Sequence, residues 1–199
     1  MIYAAVRGFK VVNCSWGSPN SYSIINETIV RYVQSRDVAI VAAAGNGTGI
    51  VPWYPAGYAG VLGVGETEIS DEATFMSAVG AHSSIMAPGF RTITITNKQN
   101  DYTQSFAGSS ASAPIVAGVV AIVRTFFPNL TAEQAIEHVR LTADNIEQQN
   151  SNTKGIIAGR VNMLKALTIL PTSHPSLRPI SWDLRVKGAS TSQFFKGDT

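Results

Sequence analysis

Apolar residues fall along this chain mostly in short continuous runs. Residues 10–15 (KVVNCS) and 38–44 (VAIVAAA) each carry such a run and end in small residues and turn formers. Runs of this length suit strands that are covered on both faces, as in a parallel sheet. Between them Ile25, Ile29, Tyr32 and Val33 recur at helical spacing behind Ser23, a residue suited to an N-cap. The pattern predicts a strand–helix–strand unit.

Residues 61–65 and 84–87 predict two further strands. Residues 91–96 alternate threonine with isoleucine, and 101–104 follow a polar turn at 97–100, which predicts a surface hairpin. A helical pattern resumes in the apolar stretch 115–123. Thr131-Ala132-Glu133-Gln134 reads as a capping box that introduces a stripe of Ala135, Ile136 and Val139. Residues 161–170 predict a last short helix. After Pro171 the composition turns to proline, serine and threonine, with Pro175 and Pro179. Residues 1–170 are therefore expected to form one domain. Residues 171–199 are expected to form a linker and the first strand of another domain at 180–186.

Composition narrows the class. The 199 residues are 45% hydrophobic and only 14% charged, which describes a globular chain with a large buried fraction. A net charge of +2 is too small to argue for nucleic acid or an anionic membrane surface as a partner. The single cysteine, Cys14, lies in an apolar run and predicts a buried, inert thiol. Residues 115–127 are apolar but contain Arg124 and fall short of the roughly 20 residues of a membrane span. A core helix is expected there. The first residues, Met1-Ile2-Tyr3-Ala4-Ala5, have neither the basic start nor the cleavage site of a signal peptide.

Candidate chemistry gathers after the predicted strands, where open α/β sheets place their sites. The run Gly108-Ser109-Ser110-Ala111-Ser112-Ala113-Pro114 sets Ser110 among small residues just before the apolar helix. With Pro114 expected in the first turn, Ser110 stands at a helix N-terminus, where free N–H groups favour developing negative charge. Ser15, Trp16 and Gly17 follow the first strand and offer backbone to an extended peptide. Asn46, between Gly45 and Gly47, reads either as a turn residue or as an amide donor to an oxyanion. Residues 45–49 (GNGTG) fail the dinucleotide-binding pattern because Ile50 stands where its third glycine belongs, and no Walker lysine follows. Nucleotide binding is set aside.

Together these segments resemble the subtilisin-like serine proteases. The run 108–114 is similar to the family's nucleophile motif GTSMASP, whose third residue maps to Ser110. Residues 41–46 (VAAAGN) resemble the oxyanion motif, whose asparagine maps to Asn46. Residues 11–17 (VVNCSWG) resemble the strand and loop that bind substrate backbone. Residues 54–58 (YPAGY) with 61–65, residues 86–89 (MAPG) and residues 159–162 (GRVN) match further landmarks in the family's order. The resemblance implies a three-layer α/β fold with a mostly parallel central sheet. It also implies substrate contacts from Ser15, Trp16, Gly17, Ala43, Ala44 and Gly45. Trp53, before Tyr54-Pro55, would sit at the floor of the primary specificity pocket, and the Tyr54–Pro55 bond is a candidate cis peptide.

The family's triad runs Asp, His, Ser along the chain. None of His82, His138 and His174 lies in the family's His-Gly-x-His context, and no aspartate lies in its Asp-x-Gly context. The chain is therefore expected to begin inside the catalytic domain, with the first strands, the base and its carboxylate upstream, and to lack practical protease activity alone. The resemblance further implies a secreted or cell-envelope enzyme that cuts peptides or proteins. Calcium is common in the family. Here the carbonyls near Ala56 and Tyr58 would form at most a weak site, with few carboxylates close by. A non-catalytic peptide-binding relative of the same fold is the alternative, and the presence of both Ser110 and Asn46 argues against it.

Overall fold

A computed structural model describes residues 1–47, 51–75, 77–80, 82–98, 101–151 and 156–171. Apart from Pro171, the predicted linker and further domain lie outside these residues.

The central sheet is wholly parallel, in the order β1 (Val11–Cys14), β3 (Ala39–Ala43), β5 (Leu62–Thr67), β6 (Ile85–Pro88). Val11 stands opposite Ala39, Val41 opposite Leu62 and Val64 opposite Ile85. Every residue of β3 is buried, which is why its sequence is apolar throughout. Its side chains divide by the period of two. Ala39, Val41 and Ala43 join Val64 and Ile85 under α3 (Ser109–Phe126), α4 (Ala132–Leu141) and α5 (Met163–Thr168). Ile40 and Ala42 face the other way, onto α1 (Ile2–Val6) and α2 (Ile24–Ser35). The result is three layers, as the resemblance implies.

The middle helix, α3, packs on all four strands of this sheet. Ala113 and Ala117 let it approach closely while Val116, Val120 and Val123 fill the space between. It is long and apolar enough to cross a membrane, but half of it is buried against the sheet and it serves as the core helix. Its outer side is uncovered: Ile115, Ile122 and Phe126 are exposed, and β1 is a sheet edge among the described residues.

Two expectations change in detail. The packed face of α2 runs through Ile29, Val30 and Val33, leaving Ile25 and Tyr32 exposed. Both stripes satisfy helical spacing, and only the position of Val38, Ile40 and Ala42 chooses between them. The last helix is shorter than 161–170, because Arg160 bridges in parallel to Met86 and Val161 N–H reaches the Met86 carbonyl at 2.9 Å. That segment extends the sheet before α5 begins at its cap, Asn162.

Other features agree with the sequence. Ser23 caps α2, and Thr131 and Gln134 form both halves of the capping box. The hairpin is β7 (Thr92–Ile95) with β8 (Tyr102–Phe106). The Tyr54–Pro55 bond is cis. Cys14 is buried, and burial pushes its thiol up to about 11. A short pair, β2 (Ser18–Pro19) with β4 (Trp53–Tyr54), completes the strands. Asp37 ties three elements together from a left-handed turn at φ +59. Its carboxylate accepts from Ala132 N–H at 2.7 Å, from Lys10 and from Arg124.

His82 is buried beside β5, where a Cβ on Gly63 would fall 1.6 Å from its carbonyl oxygen. Burial holds the imidazole down at about 4 against a usual 6.5, with the backbone of Ala44 acting in the opposite direction. The unfolded chain then takes up a proton near pH 6.5 that the folded chain refuses until about 4. Stability is complete above that window and falls as pH drops through it, by on the order of 3 kcal/mol. Urea unfolding of wild type and His82→Gln between these limits checks this: the variant is expected to show the shallower fall. Parallel slopes would count against it.

Candidate active site

Three loops meet at the carboxyl end of the sheet: the one after β1, the one after β3, and the turn entering α3. Their meeting point is the N-terminus of α3, whose first N–H groups have no partner within the helix. Gly108 is the N-cap, at φ +124, a conformation open to glycine and strained for other residues. A Cβ there would also lie 2.6 Å from Asn46 Nδ2. Close contact between the two loops thus depends on the missing side chain.

Each early N–H of the helix has a separate fate. Gly108 N–H donates to Glu66 Oε1 at 2.7 Å. Ser109 N–H donates to Asn46 Oδ1 at 2.9 Å, and the Ser109 hydroxyl donates to the same oxygen at 2.9 Å. That hydroxyl also accepts Gly45 N–H at 3.0 Å. Ser110 N–H makes no hydrogen bond within the described chain. Because an N–H group must meet an acceptor, the Asn46 amide is oriented with Oδ1 toward Ser109. Its Nδ2 has no hydrogen-bond partner among the described residues. Two free donors, Asn46 Nδ2 and Ser110 N–H, therefore stand at the helix end that carries the Ser110 hydroxyl.

Pro114 is not in the first turn. It lies in the second, four residues after Ser110, so the N–H that would normally bond the Ser110 carbonyl is absent. That carbonyl accepts the Ser15 hydroxyl instead, at 2.8 Å. Ser15 Oγ in turn accepts from Asn13 Nδ2 at 2.9 Å. In the opposite direction the Ser110 hydroxyl donates to the Ser15 carbonyl at 3.0 Å. The proline thus frees one acceptor, and a serine from the end of β1 uses it to join the two loops.

Trp53 enters between these loops from β4. A Cβ on Gly45 would fall 2.3 Å from the indole, and one on Gly17 would fall 3.5 Å from it. The ring occupies the space that Gly45 leaves by lacking a side chain, and it lies in ordinary contact distance of Gly17. Ala43 and Ala44 are buried, and Trp16 is exposed. An open cleft of about 640 Å³ lies between the loop after β1 and the first two helices, lined in part by Tyr3, Trp16, Gly17, Asn26, Tyr54 and Tyr58.

The described histidines are not partners of Ser110. His138, in α4, has Nε2 2.8 Å from the Ala166 carbonyl and packs edge-on against Phe127. His82 lies beside β5, and His174 falls outside the described residues. For calcium, the Tyr58 carbonyl already accepts from Val61 N–H, and no group of three metal-ligating side chains lies together among the described residues.

The structure thus brings Ser15, Gly45, Asn46, Trp53 and Ser110 together. It also adds residues that the sequence reading missed. Ser109 orients Asn46, Ser112 Oγ anchors the helix start on the Ala87 carbonyl at 2.9 Å, and Glu66 holds Gly108. Glu66 had a visible signal, a carboxylate ending an apolar strand run. The serines gave none, because small polar residues are ordinary in such a turn.

Comparison with known proteins identifies the family and the fold. The Subtilase family profile matches residues 1–158. Subtilisin DY of Bacillus licheniformis is 33% identical over 159 residues, covering 78% of this chain and 57% of that protein. M-protease of Shouchella clausii is 35% identical over 160 residues, covering 78% of this chain and 40% of that protein. The chain thus spans roughly half the length of these relatives. Among solved structures, fervidolysin from Fervidobacterium pennivorans, a keratinolytic enzyme related to subtilisin, superposes with a TM-score of 0.72 at 28% identity. That match covers 83% of this chain and 27% of fervidolysin. The MycP3 protease of the type VII (ESX-3) secretion system has a TM-score of 0.70 at 27% identity, over 85% of this chain and 56% of MycP3. With the parallel sheet, the landmark order and the loop geometry in agreement, the chain belongs to the subtilase family of serine proteases.

Proposed function

We propose that this chain carries the nucleophile and oxyanion-binding part of a serine endopeptidase site. The observation that carries the reading is the pair of free donors at the start of α3, beside the half-buried Ser110 hydroxyl. Ser110 Oγ attacks the scissile carbonyl carbon, and its proton passes to a histidine outside these 199 residues, itself oriented by an aspartate. Asn46 Nδ2 and Ser110 N–H then stabilise the tetrahedral oxyanion, helped by the positive end of the α3 dipole. The substrate backbone pairs along Ser15, Trp16 and Gly17, facing Ala43, Ala44 and Gly45.

In the chain itself the Ser110 hydroxyl donates to the Ser15 carbonyl, an acceptor too weak to serve as a base. The exposed stripe of α3 and the open edge of β1 are the surfaces that a segment bringing the base would cover. The reading places the proteolysis outside the cell or in its envelope, as the family resemblance implies. A purely peptide-binding chain would leave the two free donors without a task.

Losing a triad histidine costs such enzymes on the order of a million-fold in turnover. The chain alone is therefore expected to show no adduct at Ser110 after neutral incubation with a fluorophosphonate probe, read by mass spectrometry. Adding, in trans, the part of Subtilisin DY that precedes its match is expected to bring labelling that Ser110→Ala abolishes. Rapid neutral labelling of Ser110 in the chain alone would show that these residues do supply a base.

Specificity follows from Trp53. With its indole between Gly17 and Gly45, the primary pocket has room for a small side chain. In the complemented enzyme, peptide substrates with Ala or Ser before the cut are expected to exceed Phe in kcat/KM by roughly tenfold or more. Trp53→Gly is expected to reverse that order. A preference for Phe that the substitution leaves unchanged would refute the role of Trp53.

A further inference from the structure

Glu66 lies in β5, which is buried along its whole length, and its side chain is fully enclosed. A carboxyl group in that setting is costly unless its oxygens are satisfied. No described lysine or arginine pairs with it. Its partners are Gly108 N–H, 2.7 Å from Oε1, and the Thr74 hydroxyl, 2.8 Å from Oε2.

The backbone of Glu66 reaches the other loop. Its N–H donates to Ser77 Oγ at 2.9 Å. Ser77 forms a β-bridge with Asn46, and the adjacent Ala78 N–H reaches the Gly45 carbonyl at 3.1 Å. Asn46 Oδ1 in turn accepts Ser109 N–H at 2.9 Å. These contacts close a ring that runs from Glu66 through Gly108 and Ser109 to Asn46, then through Ser77 back to Glu66. Glu66 is the member of the ring that belongs to the central sheet, so it refers both loops to one rigid strand. Gly89 makes room for it, since a Cβ there would come within 3.0 Å of Glu66 Cγ.

From this closed ring we infer that Glu66 is a positioning residue that fixes the separation between the Ser110 hydroxyl and the Asn46 amide. The inference rests on the reading of Ser110 as nucleophile and Asn46 as oxyanion donor. Glu66 touches neither substrate nor reacting atoms. Its carboxyl sets the height of the Gly108 turn, and its backbone N–H sets that of the segment bridged to Asn46. Shortening the carboxyl's reach lets the first turn of α3 move relative to Asn46, and a displacement of about 1 Å is enough to cost on the order of a hundredfold in reactivity.

Three variants separate reach from polarity. Glu66→Gln keeps an oxygen for Gly108 N–H and sets an amide donor against the Thr74 hydroxyl, which can accept. Glu66→Asp keeps the acid and withdraws it by one methylene. Glu66→Ala removes both contacts. Ser110 reactivity is read in the 199-residue chain as the rate of fluorophosphonate labelling near about pH 10, where hydroxide takes the place of a base, with Ser110→Ala as the blank. The Asp and Ala variants are expected to label roughly ten- to a hundredfold more slowly, with Gln within about threefold of wild type. An Asp variant as fast as wild type, or a Gln variant as slow as Ala, would overturn the inference.

Amide hydrogen exchange at Gly108 and Ser109 gives a second reading that needs no reactivity. Protection is expected to fall in Glu66→Asp and to hold in Glu66→Gln, and unchanged protection in the Asp variant would also overturn the role of Glu66. If Ala fails to fold, the Asp and Gln variants carry both comparisons. If wild type shows no labelling specific to Ser110, the exchange data alone support or overturn the hold of Glu66 on the turn, and labelling of the complemented enzyme decides the nucleophile reading.

Discussion

A helix cannot satisfy its own first N–H groups, and α3 begins in the interior, at the end of a buried sheet. Gly108 N–H takes Glu66 and Ser109 N–H takes Asn46, while Ser110 N–H has no partner among the described residues. The loop after β3 is where it is because Asn46 must meet Ser109. Thr74, Ser77 and Ala78 are held by Glu66 and Gly45. The proposed oxyanion donors are what remains once the other polar groups have found partners.

Pro114 imposes a second constraint on the same turn. Removing an N–H from the second turn of a buried helix would leave a bare carbonyl, and burial makes a bare carbonyl costly. Ser15 repairs this and links β1 to α3 in the process. Because the Ser110 hydroxyl is at the same time turned onto the Ser15 carbonyl, one residue both braces the serine and holds its proton. Trp53 is set by a related economy of space, since its indole fits only because residue 45 lacks a side chain.

Much of the fold was legible along the chain. The all-apolar run 38–44 announced a strand buried on both faces, and Thr131 with Gln134 announced a helix start, because burial and capping act through near neighbours. The face of α2 was not legible, since Ile25–Tyr32 and Val30–Val33 are equally helical and differ only in what lies across from them. The true length of the last helix was hidden too, because the bridge from Arg160 to Met86 depends on a strand far away in sequence. Ser110 and Asn46 stood out through their glycine and alanine surroundings.

By itself, the sequence determined the parallel strand–helix architecture, the family, and the small-residue turn that carries Ser110, since these follow from local pattern and motif order. Only the tertiary structure decided which groups around that serine are free and which are held. Whether Asn46 Nδ2 is free depends on Ser109. Where Gly108 rests depends on Glu66, and what the Ser110 carbonyl bonds depends on Ser15. Each is a contact between residues distant in the chain, brought together by the packing of α3 across the sheet, and such pairings leave no periodic trace in the sequence.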